Sequence, residues 1–105
     1  MEAERAANPE ELLGAAEAAC FTMSLANLLG EAGHPPRDLR TTARVTLAQV
    51  GARFNITRIE LRTVGDVPGV DQASFHDLAE QAKDCTVSRV LTGTEITLEA
   101  SIAGS

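Results

Sequence analysis

The stretch from Asn8 to Pro36 limits the fold more than any other part of this sequence. Asn8, Pro9, Glu10 and Glu11 read as a helix start: Asn caps, Pro suits the first helical position, and two carboxylates face the positive end of the dipole. Gly33 and the pair Pro35-Pro36 mark the stop, because Gly suits the left-handed C-terminal position and Pro cannot continue the ladder. The helix is therefore expected to end at about Glu31. Its least polar part, Leu12 to Leu29, has the length of a membrane span, but Glu17, Thr22, Ser24 and Asn27 interrupt it and no cationic flank follows. A buried helix is the better reading. Its many alanines, with Gly14 and Gly30, allow another backbone to come close, which predicts a central helix packed on several sides.

From Ala43 the pattern changes to period two, with Ala43, Val45 and Leu47 on one face and Arg44 and Thr46 on the other. A second strand follows a tight connection at Gly51-Ala52. Its apolar residues Phe54 and Ile56 give way to Ile59 and Leu61 one residue out of phase, which predicts a bulge near Thr57-Arg58. After a loop at Val67-Pro68-Gly69-Val70-Asp71, Phe75, Leu78, Ala79 and Ala82 recur at helical spacing behind Ser74, with Asp77 three residues on. Cys85 to Arg89 looks like the first turn of a short third helix. Ile96, Leu98, Ala100 and Ile102 then alternate with polar residues as a final strand. The order helix, hairpin, helix, strand gives a single α+β domain over residues 1–105, with an antiparallel sheet.

The 105 residues make one domain, which buries only a modest share of its surface, so a partner subunit would help. Trp and Tyr are absent and only three Phe occur, so the core is aliphatic and stacking on nucleic-acid bases is not expected. A formal charge of −6 opposes binding to phosphate backbones and anionic membranes. Small-molecule chemistry is expected instead. The first nine residues lack the basic-then-apolar pattern of a signal peptide, so the expected location is cytoplasmic. Two cysteines in such a compartment are more naturally reduced thiols, ligands or redox catalysts than a permanent disulfide.

Three blocks of the sequence resemble the OsmC/Ohr family of organic hydroperoxide reductases. Asn8-Pro9-Glu10-Glu11-Leu12-Leu13-Gly14-Ala15-Ala16-Glu17-Ala18-Ala19-Cys20-Phe21 is similar to the family's first-cysteine helix. Val67-Pro68-Gly69-Val70-Asp71 resembles its connecting loop, and Ala82-Lys83-Asp84-Cys85-Thr86-Val87-Ser88-Arg89-Val90-Leu91 its second-cysteine motif. The resemblance covers roughly residues 8 to 102 and lies closer to the OsmC branch than to the Ohr branch.

What the resemblance implies is an intertwined homodimer with active sites at the interface, a long helix packed on the sheet, and a thiol peroxidase that needs neither metal nor other cofactor. Cys20 would attack the terminal oxygen of an organic hydroperoxide or of hydrogen peroxide to give a sulfenic acid. Cys85 would resolve it as a disulfide, which a dithiol reductant, a lipoylated or thioredoxin-like protein, reopens. Glu10 matches the acidic residue that orients an arginine beside the reactive sulfur. Leu13, Phe21, Met23 and Phe75 would wall a lipophilic peroxide site.

Local chemistry sets other readings beside these. A lone cysteine on an apolar helix is most often a small buried hydrophobe. Cys85, at the start of a helical turn near Lys83 and Arg89, is by local physics the more reactive thiol; only the resemblance assigns that part to Cys20. Ten residues of straight helix span about 15 Å, so Glu10 reaches Cys20 only if the helix breaks near Gly14 or if a second subunit supplies the carboxylate. Its other reading is dipole stabilisation of the helix start.

The sequence also departs from the family. Relatives carry several strands before the Asn-Pro-Glu block, and the arginine that lowers the thiol pKa comes from there. This chain has seven residues ahead of Asn8, with Arg5 the sole arginine among them and at an unmatched spacing. Glu17 stands where relatives usually have a neutral or weakly basic residue, and a carboxylate one turn from a thiol disfavours the thiolate. These departures define the alternative: a truncated, catalytically weak relative acting as a dimeric structural or redox-sensing module. Closing the loop of about 65 residues between the cysteines would stabilise such a module by roughly 4 kcal/mol. His34 and His76 read as surface residues outside any metal-ligand spacing, and Arg37, Arg40 and Arg44 as a solvated stretch.

Overall fold

The computed structural model describes residues 8–103. Helix α1 (Pro9–Glu31) leads into strands β1 (Asp38–Val50) and β2 (Arg53–Asp66), then helices α2 (Gln72–Ala82) and α3 (Thr86–Val90), and strand β3 (Glu95–Ile102). The α+β class expected from the sequence holds.

Both ends of α1 form for the reasons its sequence suggests. The Glu11 N–H donates to the Asn8 side chain at 2.8 Å, with Pro9 in the first turn. At the other end Gly33 takes a left-handed φ of 86°, and the His34 N–H closes onto the Leu29 carbonyl at 2.8 Å. Gly14, Glu17, Phe21, Leu25 and Leu29 form the buried stripe, spaced three and four residues apart as one helix face requires. This stripe packs against β1, α2 and α3. The expectation of a helix packed on several sides is corrected here: Leu12 and Met23 are 57% and 74% exposed. Three strands and two short helices cover one face of a 23-residue helix and leave the rest open in this chain. Gly14 does admit a close neighbour, with the Val45 side chain 2.8 Å from where a Cβ would sit, whereas Gly30 faces open space.

The sheet has the order β1-β2-β3. β1 and β2 pair antiparallel around Gly51, whose φ of 63° makes the turn. Thr46 faces Arg58 and Leu47 faces Ile56, so Thr57 is the extra residue of a bulge at the predicted place. β3 runs parallel to β2, which overturns the all-antiparallel sheet expected from the sequence. The chain crosses over through α2 and α3 before returning, and a helical crossover delivers a strand in the same direction as the one it left. Alternation along a strand reveals its faces but not its direction.

The core gathers Phe21, Leu25 and Leu29 from α1, Ile59 and Leu61 from β2, and Phe75, Ala79 and Ala82 from α2. Hydroxyls cross it in a chain: Thr22 donates to Thr41 at 2.7 Å, and Thr41 and Thr63 lie 3.0 Å apart, joining α1 to both strands of the hairpin. Helix α2 starts earlier than the Ser74 cap predicts, because Asp71 accepts from the Ser74 N–H at 2.7 Å and takes the capping role. That hydrogen bond holds the Asp71 carboxyl below the usual range. The Gln72 side chain then donates to the Ala100 carbonyl and accepts from the Ile102 N–H, satisfying backbone groups along β3.

At Gly65 an added Cβ would lie 2.8 Å from two ring atoms of the fully buried Phe75 and 3.0 Å from Leu39. Gly65→Ala is therefore expected to lower stability by about 1–3 kcal/mol, the usual cost of overpacking. A urea midpoint equal to that of the wild type would show that Phe75 has room to move.

Candidate active site

Cys20 sits half-buried on α1, between the buried Glu17 and Phe21. Cys85, far along the chain, is the N-cap of α3 and is buried. Packing of α3 against α1 joins their neighbourhoods: both cysteines are free, and Cys20 is near enough to bear on the titration of Cys85.

A third group completes the cluster. Glu17 is wholly buried. Its Oε2 accepts from the Ser88 hydroxyl at 2.6 Å, and its Oε1 faces the Cys85 sulfur at 3.8 Å. Ser88 Oγ also lies 3.4 Å from that sulfur. Among the described residues, no Lys, Arg or His pairs with Glu17. Sequence reasoning treated Glu17 only as a neighbour of Cys20. Neither its burial in the stripe with Gly14 and Phe21 nor its partner Ser88 was read from the sequence: the helix is apolar on most sides, and Ser88 is 71 residues away.

Burial, and next the neighbouring Cys20 thiol, push the Cys85 thiol up, more than the Ser88 hydroxyl and N–H bring it down; the Glu17 charge adds to the rise. This reverses the expectation that helix-start position and nearby cations would activate Cys85. Helix α3 has only five residues, and the two cations are engaged elsewhere: Arg89 with Asp84 at 3.4 Å and Lys83 with Glu80 at 3.2 Å. A thiol whose pKa is raised on folding favours the folded state at pH below its unfolded value, and that contribution disappears as pH climbs through the raised value. Stability is thus expected to decline above about pH 8.5, the ordinary thiol range, and Cys85→Ser should flatten that alkaline slope in denaturant titrations. An identical slope in the variant would contradict the burial argument.

Other predicted site residues lie apart. α1 is continuous through Gly14, so Glu10 stays about 15 Å along the helix from Cys20. It lines a groove between α1 and β1 with Gly14, Ala18, Ala43 and Arg44. Phe21 and Phe75 are fully buried core residues, while Leu13 and Met23 are exposed; within this chain the four do not form the apolar wall expected of them. Arg40 and Arg44 are exposed on β1, paired with Asp38 and Glu60. His76 pairs with Glu80 at the surface. Arg5 lies outside the described residues. No group of three potential metal ligands occurs among the described residues.

A long helix laid on a small mixed sheet, with two free thiols meeting beneath it, outlines a dithiol protein of the α+β class. The chain belongs to the OsmC-like protein family, whose model matches residues 2–101. It is 50% identical over 99 residues to the peroxiredoxin OsmC of Escherichia coli K12, covering 93% of this chain and 68% of that protein. Among solved structures, it resembles an organic hydroperoxide resistance protein from Elizabethkingia anophelis at 29% identity and TM-score 0.73, over 94% of this chain and 69% of the other. An OsmC-like protein of Vibrio cholerae O1 shares the fold at TM-score 0.77 and 18% identity, over 88% of this chain. The chain spans 62% of the length of that Vibrio structure.

Proposed function

We propose that this protein is a thiol-dependent peroxidase that reduces organic hydroperoxides, and less readily hydrogen peroxide, in oxidative-stress defence. The observation that carries this reading is that the fold brings two free thiols, Cys20 and Cys85, into one neighbourhood although they lie far apart in the sequence, together with the names of its relatives, peroxiredoxin OsmC and organic hydroperoxide resistance protein. Cys20, the less buried thiol, attacks the terminal peroxide oxygen; the O–O bond breaks, alcohol leaves, and a sulfenic acid remains. Cys85 then displaces water to form a disulfide, and a dithiol reductant, lipoylated or thioredoxin-like, reopens it.

The protein works as a cytoplasmic homodimer in this reading. The uncovered face of α1 and the exposed hairpin residues Leu47, Val50 and Phe54 are apolar surface that a second copy would bury, and a partner would also bring Glu10 near the opposite Cys20. The test is consumption of cumene hydroperoxide by purified protein with excess dithiol. Consumption faster than dithiol alone is expected, and none would end the proposal.

A second reading, a catalytically weak relative acting as a structural or redox-sensing module, is favoured by one observation. Among the described residues, no cation makes a hydrogen bond or ion pair with either thiol. In a Cys85→Ser background, alkylation of Cys20 at neutral pH no faster than that of a free thiol would support this second reading.

A further inference from the structure

We infer that Glu17 is the general base that activates Cys85 for closure of the disulfide, a role that rests on the dithiol reading above. The resolving thiol has a chemical problem. Cys85 is buried and its thiol is held protonated, yet only the thiolate is an effective nucleophile. A sulfur that must attack its neighbour from such a pocket needs somewhere to send its proton.

The structure places a carboxylate within reach of that proton, with the Ser88 hydroxyl oxygen 3.4 Å from the same sulfur and itself donating to the carboxylate. Glu17 Oε1 faces the Cys85 sulfur at 3.8 Å, while the Ser88 hydroxyl holds the other carboxylate oxygen at 2.6 Å and fixes its direction. A carboxylate with no exposed surface and no cationic partner among the described residues is costly to bury, and packing alone would be served better by an apolar residue in a stripe otherwise made of Gly14, Phe21, Leu25 and Leu29. The groups facing it are Cys85 and Ser88 from the α3 turn, and Cys20, three residues along α1 from Glu17, bears on the titration of Cys85.

The step balances as follows. Cys85 Sγ forms a bond to the Cys20 sulfur as the S–O bond of the sulfenic acid breaks. The Cys85 proton passes to Glu17 Oε1, and the departing hydroxide takes a proton from Glu17 and leaves as water. The carboxylate is regenerated, the sulfenic acid is reduced and the thiol is oxidised to the disulfide. No further reactant is needed. The same transfer of the Cys85 proton to Glu17 operates when an aromatic thiolate leaves Cys20 instead of hydroxide; that thiolate departs ionised, and Glu17 passes the proton to solvent.

That equivalence gives a test independent of peroxide. Cys20, the more accessible thiol, is converted to its mixed disulfide with 5-thio-2-nitrobenzoate, and release of the coloured thiol by Cys85 is timed in the full chain. Glu17→Gln, which keeps the size and the hydrogen bond from Ser88, is expected to slow release about 100-fold at neutral pH, within the range a general base contributes. The deficit should narrow at alkaline pH as Cys85 ionises unaided. A Glu17→Gln rate equal to that of the wild type at neutral pH overturns the inference.

Should the variant fail to fold, the wild-type protein still decides: release slower in heavy water supports proton transfer in the closing step, and release insensitive to the isotope refutes it. In a parallel arm, hydroperoxide replaces the aromatic disulfide. Slowed closure with the aromatic adduct but no Cys20 sulfenic acid from hydroperoxide would retain the base while ending the peroxidase reading.

Discussion

Cys20→Ser is expected to bring hydroperoxide consumption down to the rate of free dithiol, a fall on the order of a thousandfold or more, as when the nucleophile of a covalent mechanism is removed. A serine hydroxyl is not ionised at neutral pH and has no sulfenic acid to form. Cys85 cannot take over, because it is buried, its thiol pKa is raised and its sulfur faces Glu17 and Ser88. Cys85→Ser should behave differently. Its first oxidation proceeds, the sulfenic acid on Cys20 persists, and a dimedone adduct appears there by mass spectrometry. Both results follow from which thiol is reachable. Peroxide loss that survives Cys20→Ser would move the chemistry to another residue.

Phe75→Ala should produce the largest loss of stability, about 3–5 kcal/mol, the range for emptying a buried aromatic site. Phe75 has no exposed surface, and its ring lies against the backbone at Gly65 and clusters with α1 and β2. The glycine cannot fill the space left behind. Each kcal/mol lowers the melting temperature of a domain this size by roughly 4–8 °C, so thermal unfolding followed by circular dichroism will report it. Met23→Ala, on the open side of α1 at 74% exposure, is the matched control and should stay within about 0.5 kcal/mol of the wild type as a monomer. If Phe75→Ala behaves like that control, the α2 face is not the core that holds the domain together.

Much of the fold was readable because its signals are local. The cap at Asn8, the stop at Gly33, the turn at Gly51 and the bulge at Thr57 each depend on a few adjacent residues. The start of α2 was misplaced because two good caps, Asp71 and Ser74, compete within one turn, and the aspartate takes the Ser74 N–H. The sheet was misread because period-two alternation is the same whichever way a strand runs; only the helical crossover between β2 and β3 makes that pair parallel.

For the candidate site, the sequence by itself determined the two cysteines, the family motifs around them and the long helix that carries Cys20 and Glu17. Motif and periodicity are properties of neighbours along the chain. What only the tertiary structure decided is which of these groups meet. It sets Ser88 and Cys85 on Glu17, keeps Glu10 at the far end of an unbroken α1, and engages Lys83 and Arg89 with carboxylates away from the thiols. The rise of the Cys85 thiol follows from those encounters, because burial and hydrogen bonding act through distances across the fold, and these outweigh the local dipole of a five-residue helix.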